Sequence, residues 1–238
     1  MGKAVDKPVA LRYERKFVYP TLRALDIINT EVLCNSYGFR EIFHRRSVNN
    51  LYLDDQNYSF YRQNVAGDER REKYRFRWYG DDFYTIEKPT LEVKKKMGAV
   101  GDKLSFKYKA VKIDLNHTSA KAFQEKMILA AQDNGDLLLA STLSRLQPAL
   151  YNSYERRYFL SACERFRITI DYNMQFYNPA YPTTWASQRS LKDVILELKY
   201  AVSEDADARQ LSQELSSRLS KNSKYVRGID LIQHRVHV

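Results

Sequence analysis

Lys73-Tyr-Arg-Phe-Arg-Trp-Tyr79 alternates charged with aromatic side chains. A strand repeats every two residues, so Arg75 and Arg77 point one way and Tyr74, Phe76 and Trp78 the other. Leu91-Glu-Val-Lys-Lys-Lys96 and Val194-Ile-Leu-Glu-Leu-Lys-Tyr200 follow the same rule, with Glu, Lys and Arg sharing one face. A half-buried antiparallel sheet with a solvated charged face explains any one of these stretches. It does not explain their recurrence along the chain. Arg12, Glu14 and Lys16 share a face in Arg12-Tyr-Glu-Arg-Lys-Phe17, as do Lys107 and Lys109 in Leu104-Ser-Phe-Lys-Tyr-Lys109. Tyr154-Glu-Arg-Arg-Tyr-Phe159 groups Tyr154 with Arg156, and the stretch from Arg165 to Asp171 groups Arg165, Arg167, Thr169 and Asp171. With the less charged Asn49-Asn-Leu-Tyr-Leu-Asp54, these are eight candidate strands, enough to close a barrel.

A chain of 238 residues with 44% hydrophobic content can bury one large core, and residues 1–238 read as a single domain. The net charge of +10 points to an anionic partner. Apart from Lys94 to Lys96, the basic residues are interleaved with apolar ones inside strands, which favours a lined cavity over a nucleic-acid-binding tail. Cys34 and Cys163 show no C-x-x-C spacing, which suggests neither zinc nor a disulfide framework and fits a reducing cytoplasm. Met1 to Asp6 lacks the apolar run of a signal peptide and is expected to lead straight into the first strand. Asp6 spoils a myristoylation motif. No stretch approaches the roughly 18 apolar residues that span a bilayer, so any membrane link is expected through a partner protein.

Between the strands, Leu22, Leu25, Ile28 and Val32 predict a helix stopping near Gly38. Asp54-Asp55 is suited to cap a short helix through Tyr58, Tyr61 and Arg62, and Asn116 to Ser119 to open another that ends at Asn134-Gly135. Leu137 to Leu146 follows as a helix stopped by Pro148. Asn173 to Arg189 reads as a long loop, a candidate lid, and Asp205 to Ser220 as an amphipathic helix with Leu211, Leu215 and Leu219 in register. With such helices on the apolar face of the sheet, the charged face is either the open surface or the inside of a closed barrel, and the excess of basic over acidic residues on these strands favours the barrel. Cations facing one another in a lumen repel, so the lumen makes sense only when filled by a polyanion, water and counter-ions. The expected fold is therefore α+β: a closed antiparallel eight-stranded β-barrel with helices packed on the outside.

Tyr13-Glu-Arg-Lys-Phe17, Tyr74-Arg-Phe-Arg-Trp-Tyr-Gly80, Leu91-Glu-Val-Lys94, Tyr154-Glu-Arg156 with Phe159, and Arg167-Ile-Thr-Ile-Asp171 resemble the triphosphate tunnel metalloenzymes. Glu197-Leu-Lys199, followed by Lys221-Asn-Ser-Lys-Tyr225, is similar to one branch of them, the VTC domain, the polyphosphate polymerase module of the vacuolar transporter chaperone complex. Tunnel triphosphatases usually open with E-x-E-x-K; here Arg12 stands at the first Glu, which moves the resemblance towards the VTC branch and removes one metal-binding carboxylate. The SPX domain and membrane helices of the eukaryotic subunits have no counterpart in this sequence.

The resemblance implies a metal-dependent transfer of the ATP γ-phosphate to a growing polyphosphate chain inside a basic tunnel. Catalytic roles fall to Arg75, Arg77, Lys94, Arg156, Arg167, Lys221 and Lys224, and substrate binding to Lys16, Lys107, Lys109, Tyr154, Lys199 and Ser223. Arginine suits bidentate grips on phosphate and lysine acts as a point charge. Lys221, Ser223 and Lys224 are expected to approach the terminal phosphates from the last helix; a solvated helix end is the plainer account of them. Glu197, then Glu14 and Glu92, are the candidate ligands for Mn²⁺ or Mg²⁺, since hard carboxylates suit these ions. Each is equally suited to pair with a cross-strand cation, and Asp171 to orient Arg167 or Arg165. The partners implied are ATP and inorganic polyphosphate or triphosphate.

Water in place of the attacking phosphate would make the same site an inorganic or nucleoside triphosphatase, and a site without chemistry a polyphosphate-binding module. No Walker A or Rossmann fingerprint is present, and Gly98-Ala-Val-Gly101 reads as a turn. His44, His117, His234 and His237 have no ligand spacing and read as surface or packing residues. The eighteen tyrosines raise base stacking on RNA, but their alternation with charge favours an outer packing face, so no nucleic acid is expected.

Overall fold

The structure is a computed structural model that describes residues 12–97, 100–181 and 188–233. The turn at Gly98-Ala99, the lead-in before Arg12, His234 and His237 lie outside the described residues, as do residues 182–187 of the expected lid.

All eight expected strands form, and their order in the sheet decides where the site lies. They are β1 (Arg12–Tyr19), β2 (Arg40–Asp54), β3 (Arg70–Tyr79), β5 (Thr90–Met97), β6 (Val100–Lys107), β8 (Gln147–Leu160), β9 (Arg167–Tyr177) and β11 (Val194–Ala201). Hydrogen bonding runs β1-β11-β9-β8-β2-β3-β5-β6, antiparallel throughout. A short β10 (Arg189–Leu191) joins β9, and β4 (Thr85–Glu87) pairs with β7 (Lys112–Asp114) in a separate ribbon.

The barrel is not closed, which corrects the expectation: among the described residues β1 and β6, the two ends of the path, do not pair. The physical reason at the β1 edge is occupancy. Leu219 bridges Phe17, Ser220 N–H donates to the Lys16 carbonyl at 2.8 Å, and the Ser217 hydroxyl donates to the Val18 carbonyl at 2.9 Å. A segment of chain thus covers the edge that a closing strand would need.

The sheet is nevertheless strongly curled. Five strands separate β1 from β5, which on a flat sheet is roughly 29 Å. Yet Lys94 on β5 interacts electrostatically with Glu14 and Lys16 on β1. The charged faces therefore look at one another across a concavity.

Two apolar clusters cover the outside. One packs α1 (Leu25–Leu33) and α5 (Asp205–Gln213) through Ile28, Val32, Ala208 and Leu211 against Phe17, Ile168, Leu196 and Leu198. The other packs α3 (Ala120–Asp133) and α4 (Leu137–Ser144) through Phe123, Met127 and Leu143 against Leu51, Phe76, Trp78 and Leu91. Ser119 caps α3 by accepting from the Ala122 N–H at 3.1 Å. Asp54 and Asp55 cap α2 (Ser59–Ala66) as expected: Asp54 accepts from the N–H groups of Phe60 and Tyr61, both at 2.9 Å, and Asp55 from Ser59 at 2.9 Å.

The last helix, α6 (Lys224–Gln233), breaks the outside-only rule. Tyr225, Ile229 and Ile232 pack with Val48, Tyr52, Leu150, Tyr154, Phe176 and Ile195. Tyr52 lies opposite Arg75 and Ile195 opposite Asp171, so α6 sits on the concave face at one end of it. Gly228 makes this possible: a Cβ there would stand 2.4 Å from Leu150 Cδ2 and 2.5 Å from Phe176 Cδ1. The Tyr225 hydroxyl also donates to buried Asp54.

Other departures have local causes. The helix expected to Ser220 ends at Gln213, because Glu214 turns back to accept from Ser36 N–H at 2.8 Å and Leu219 is used at the β1 edge. The loop expected from Asn173 begins only after Tyr177; Met174, Phe176 and Tyr177 are buried strand residues. Cys34 and Cys163 are exposed and unbridged. No helix among the described residues is long and apolar enough to cross a membrane.

Candidate functional site

Strand parity places Glu14 and Lys16 (β1), Glu197 and Lys199 (β11), Thr169 and Asp171 (β9) and Arg156 (β8) on the concave face across paired strands, with Tyr154 beside Arg156 at a β8–β9 bulge. Glu197 and Asp171 organise this half. Glu197 lies 3.6 Å from Lys16, 3.2 Å from Lys199, 3.5 Å from Arg156 and 3.5 Å from Lys224. Asp171, fully buried, accepts from Arg156 Nε at 2.5 Å and Nη2 at 2.6 Å, and from Lys224 Nζ at 2.5 Å. Burial pushes both carboxyls up, but the surrounding cations outweigh it. Lys224, Lys199, Lys16 and Arg156 hold Glu197 well below the usual carboxylate range, and Arg156 and Lys224 hold Asp171 below it. Asp171 thus orients Arg156 and Lys224, and not Arg167 or Arg165 as the sequence suggested. Arg165 lies before β9 in a bend and bonds Asp207 at 3.0 Å.

The other half is built on β3 and β5. Arg75 donates from Nε to Glu92 at 2.7 Å and from Nη1 to the Tyr52 hydroxyl at 3.3 Å. Arg77 donates to Asn50 at 3.1 Å and reaches Glu92 at 3.5 Å. Lys103 from β6 completes the set with a 2.9 Å bond to Glu92. Burial raises Glu92, but Arg75, Arg77 and Lys103 bring it below its usual value. Tyr154 joins the halves: its hydroxyl accepts from Arg77 at 3.5 Å, and Arg156 and Lys224 lie over its ring at 5.2 Å and 4.9 Å. Burial pushes that hydroxyl up, yet Arg156 and Arg77 leave it below the ordinary phenol value.

The remaining expected residues are dispersed. Arg167 lies on the same parity opposite Lys199, exposed at the strand end. Lys107 shares the face of Glu92 at the exposed end of β6, whereas Lys109 falls in a turn after that strand and loses its parity with Lys107. Lys221 is exposed and precedes α6, so it does not approach from the helix; Ser223 and Lys224 do stand at the helix start. Lys94 lies opposite Lys73 between the two halves. Sequence reasoning passed over Lys73, Lys103, Tyr52 and Asn50. Lys73 carried a usable signal, since it shares the parity of Arg75 and Arg77.

Among the described side chains the face carries nine close-set basic residues, Lys16, Lys73, Arg75, Arg77, Lys94, Lys103, Arg156, Lys199 and Lys224, against four carboxylates in contact with them, Glu14, Glu92, Asp171 and Glu197. No three His, Cys, Asp or Glu side chains among the described residues are grouped to hold a metal ion. Glu92 and Asp171 are saturated by cations. Glu14 and Glu197 repel each other across Lys16, which lies 3.0 Å from Glu14 and 3.6 Å from Glu197. A divalent ion held by protein alone does not fit this donor set. One arriving on phosphate oxygens would meet Glu197 and Glu14 as its carboxylate pair.

The VTC domain family matches residues 12–233. The PH1819 protein from Pyrococcus horikoshii OT3 has a similar fold, with a TM-score of 0.50 at 12% identity over 94% of this chain and 99% of that one. A "putative adenylate cyclase" from Vibrio parahaemolyticus aligns with a TM-score of 0.48 at 11% identity, over 90% of this chain and 94% of that one. No curated protein sequence matches this chain.

Proposed function

This chain belongs to the VTC domain family, and from that premise we propose that it is a polyphosphate polymerase. In this reading it transfers the γ-phosphate of ATP to a growing polyphosphate chain within one domain spanning residues 1–238. Family membership supports phosphoryl transfer on polyphosphate or triphosphate. The observation that carries the reading is the concave face itself, where, among the described side chains, nine basic residues meet four carboxylates. Such a surplus is costly unless a polyanion fills the space.

Phosphoryl transfer asks the protein for positioning and charge neutralisation more than for covalent chemistry. Arg75 and Arg77, braced by Glu92, Tyr52 and Asn50, present guanidinium groups in fixed orientation. Arg156, braced by Asp171, does the same from β8, two strands away, and Lys224, held by the same carboxylate, presents an ammonium from α6. A terminal phosphate oxygen of the chain attacks the γ-phosphorus, the bond to the β–γ bridging oxygen breaks, and ADP leaves. Charge balances without a proton, so no protein base is required. Mn²⁺ or Mg²⁺ would travel with the nucleotide phosphates and neutralise their developing charge, with Glu197 and Glu14 beside it. A membrane-protein partner and a cytoplasmic setting remain part of the proposal.

The test is purified protein with ATP and Mn²⁺ or Mg²⁺, with ADP, orthophosphate and polyphosphate followed by phosphorus NMR. ADP with matching polyphosphate is the expected result. ADP with orthophosphate alone would make the protein a triphosphatase, and tight polyphosphate binding without turnover would make it a binding module.

A further inference from the structure

Lys73 differs from most cations of the concave face. Its Nζ contacts the Ser223 hydroxyl at 3.2 Å and lies 5.8 Å from the centre of the Tyr225 ring. Among the described residues neither it nor Lys94, opposite on β5, has a carboxylate within ion-pair distance, whereas Lys16, Arg75, Arg77, Lys103, Arg156, Lys199 and Lys224 each have at least one. The groups around it come from every element of this end of the cavity. Arg75 is on its own strand, Lys94 is directly opposite on β5, Lys16 and Glu14 are on β1, and Tyr225 is on α6. Three of these are cations. Of the acids, Glu14 is already bonded to Lys16 at 3.0 Å, and Asp54, next after Tyr52 and Leu53 in the β2 register along β3, is taken up by the Tyr225 hydroxyl and the N–H groups of Phe60 and Tyr61.

An ammonium in such a place, half-buried among cations, is partly desolvated and repelled at once, and lysine answers by losing its proton more readily. Burial, followed by Lys16, Arg75 and Lys94, carries its pKa well below the ordinary lysine value. Ser223 suits either state: its oxygen accepts from an ammonium, and its O–H donates to the lone pair of an amine. A phosphate chain lying between β1, β3 and β5 would reverse the local field and favour the charged form.

We propose that Lys73 is a phosphate ligand whose charge is set by its cargo: a neutral amine in the empty cavity, an ammonium beside a bound phosphate chain, so that each binding event takes up one proton. This rests on the reading of the concave face as a polyphosphate site and adds a proton to its binding equation. It also gives Lys73 a sign in folding. The unfolded chain holds the lysine proton more tightly, so this residue lowers stability as pH falls below the usual lysine value of about 10.4.

Two measurements test the proposal. In the first, lysine side chains labelled with ¹³C at Cε are titrated by NMR, with the Lys73 signal assigned by its loss in Lys73→Arg. A midpoint well below about 10.4 without ligand, rising with inorganic tripolyphosphate, is expected; an ordinary midpoint in the free protein overturns the proposal. In the second, calorimetry of tripolyphosphate binding at pH 8.5 in buffers of different ionisation heat counts protons. Wild type should take up more protons than Lys73→Arg, which is charged throughout, and equal counts overturn the proposal. Lys73→Met, which serves if the arginine variant misfolds, should also lose the uptake and bind about tenfold more weakly. Failure of tripolyphosphate to bind wild type at all would sink the polyphosphate reading and this ligand role with it. Binding with equal proton counts would sink this inference alone.

Discussion

Gly228→Ala adds one methyl group where α6 lies closest to the sheet. On the present backbone its Cβ would stand 2.4 Å from Leu150 Cδ2, 2.5 Å from Phe176 Cδ1 and 3.0 Å from Phe176 Cε1, against an ordinary carbon separation of about 3.5 to 4.0 Å. Leu150 and Phe176 are both fully buried, so neither has free volume to move into. The helix must therefore retreat by about 1 Å. Two effects oppose each other. Alanine is better than glycine in a helix interior by about 0.8 to 1.0 kcal/mol, and overpacking a core costs about 1 to 3 kcal/mol. Overpacking wins across most of that range, for a net loss of up to about 2 kcal/mol and a fall in Tm of about 2 to 4 °C per kcal/mol. The sharper effect falls on the site. Lys224, one turn before Gly228, bonds Asp171 at 2.5 Å, and a retreat of that size stretches and weakens the bond. Tripolyphosphate affinity should drop about tenfold, equivalent to about 1.4 kcal/mol. Scanning calorimetry and isothermal titration measure the two quantities. A variant that melts at or above the wild-type temperature and binds tripolyphosphate unchanged would refute the role given to this contact.

Glu197→Gln removes the carboxylate shared by Lys16, Lys199, Arg156 and Lys224. It should abolish turnover and lower the melting temperature without ligand, yet bind tripolyphosphate at least as tightly; full turnover would remove Glu197 from the chemistry. Arg75→Ala with Arg77→Ala leaves Glu92 with Lys103 alone and should weaken tripolyphosphate binding about a hundredfold, at about 1.5 kcal/mol or more per charged contact; unchanged affinity in calorimetry would place the ligand elsewhere. Asp171, Glu197 and Glu92 have folded pKa values below their unfolded ones. Their stabilisation is present above the unfolded values near pH 4 and is lost as pH falls through the folded ones. Urea midpoints should fall between pH 5 and pH 3, less so in Asp171→Asn, and a flat profile would contradict the depressed values.

How much of the site was legible depended on whether its members shared a strand. Arg75 with Arg77 and Tyr154 with Arg156 are two residues apart, so periodicity alone put each pair on one face. Glu197 and Asp171 were legible as facing inward but not in what they hold. Asp171 is 53 residues from Lys224, and the bond between them exists because β9 and α6 meet. Lys109 shows the reverse error: its spacing from Lys107 implied a shared face only for as long as the strand continued, and β6 ends at Lys107.

By itself the sequence determined the eight strands, the face on which charge collects, the capping of α2 and α3, and the family to which the chain belongs. These follow from two-residue periodicity, local hydrogen bonding and short motifs, all read over a few neighbouring residues. Only the tertiary structure decided that the sheet curls without closing, that α6 enters the concave face at Gly228, and that Lys73 stands among cations without an acid of its own. Each of these depends on atoms brought together from distant segments. The occupied β1 edge, the space beside Leu150 and Phe176, and the field at an amine are properties of that assembly.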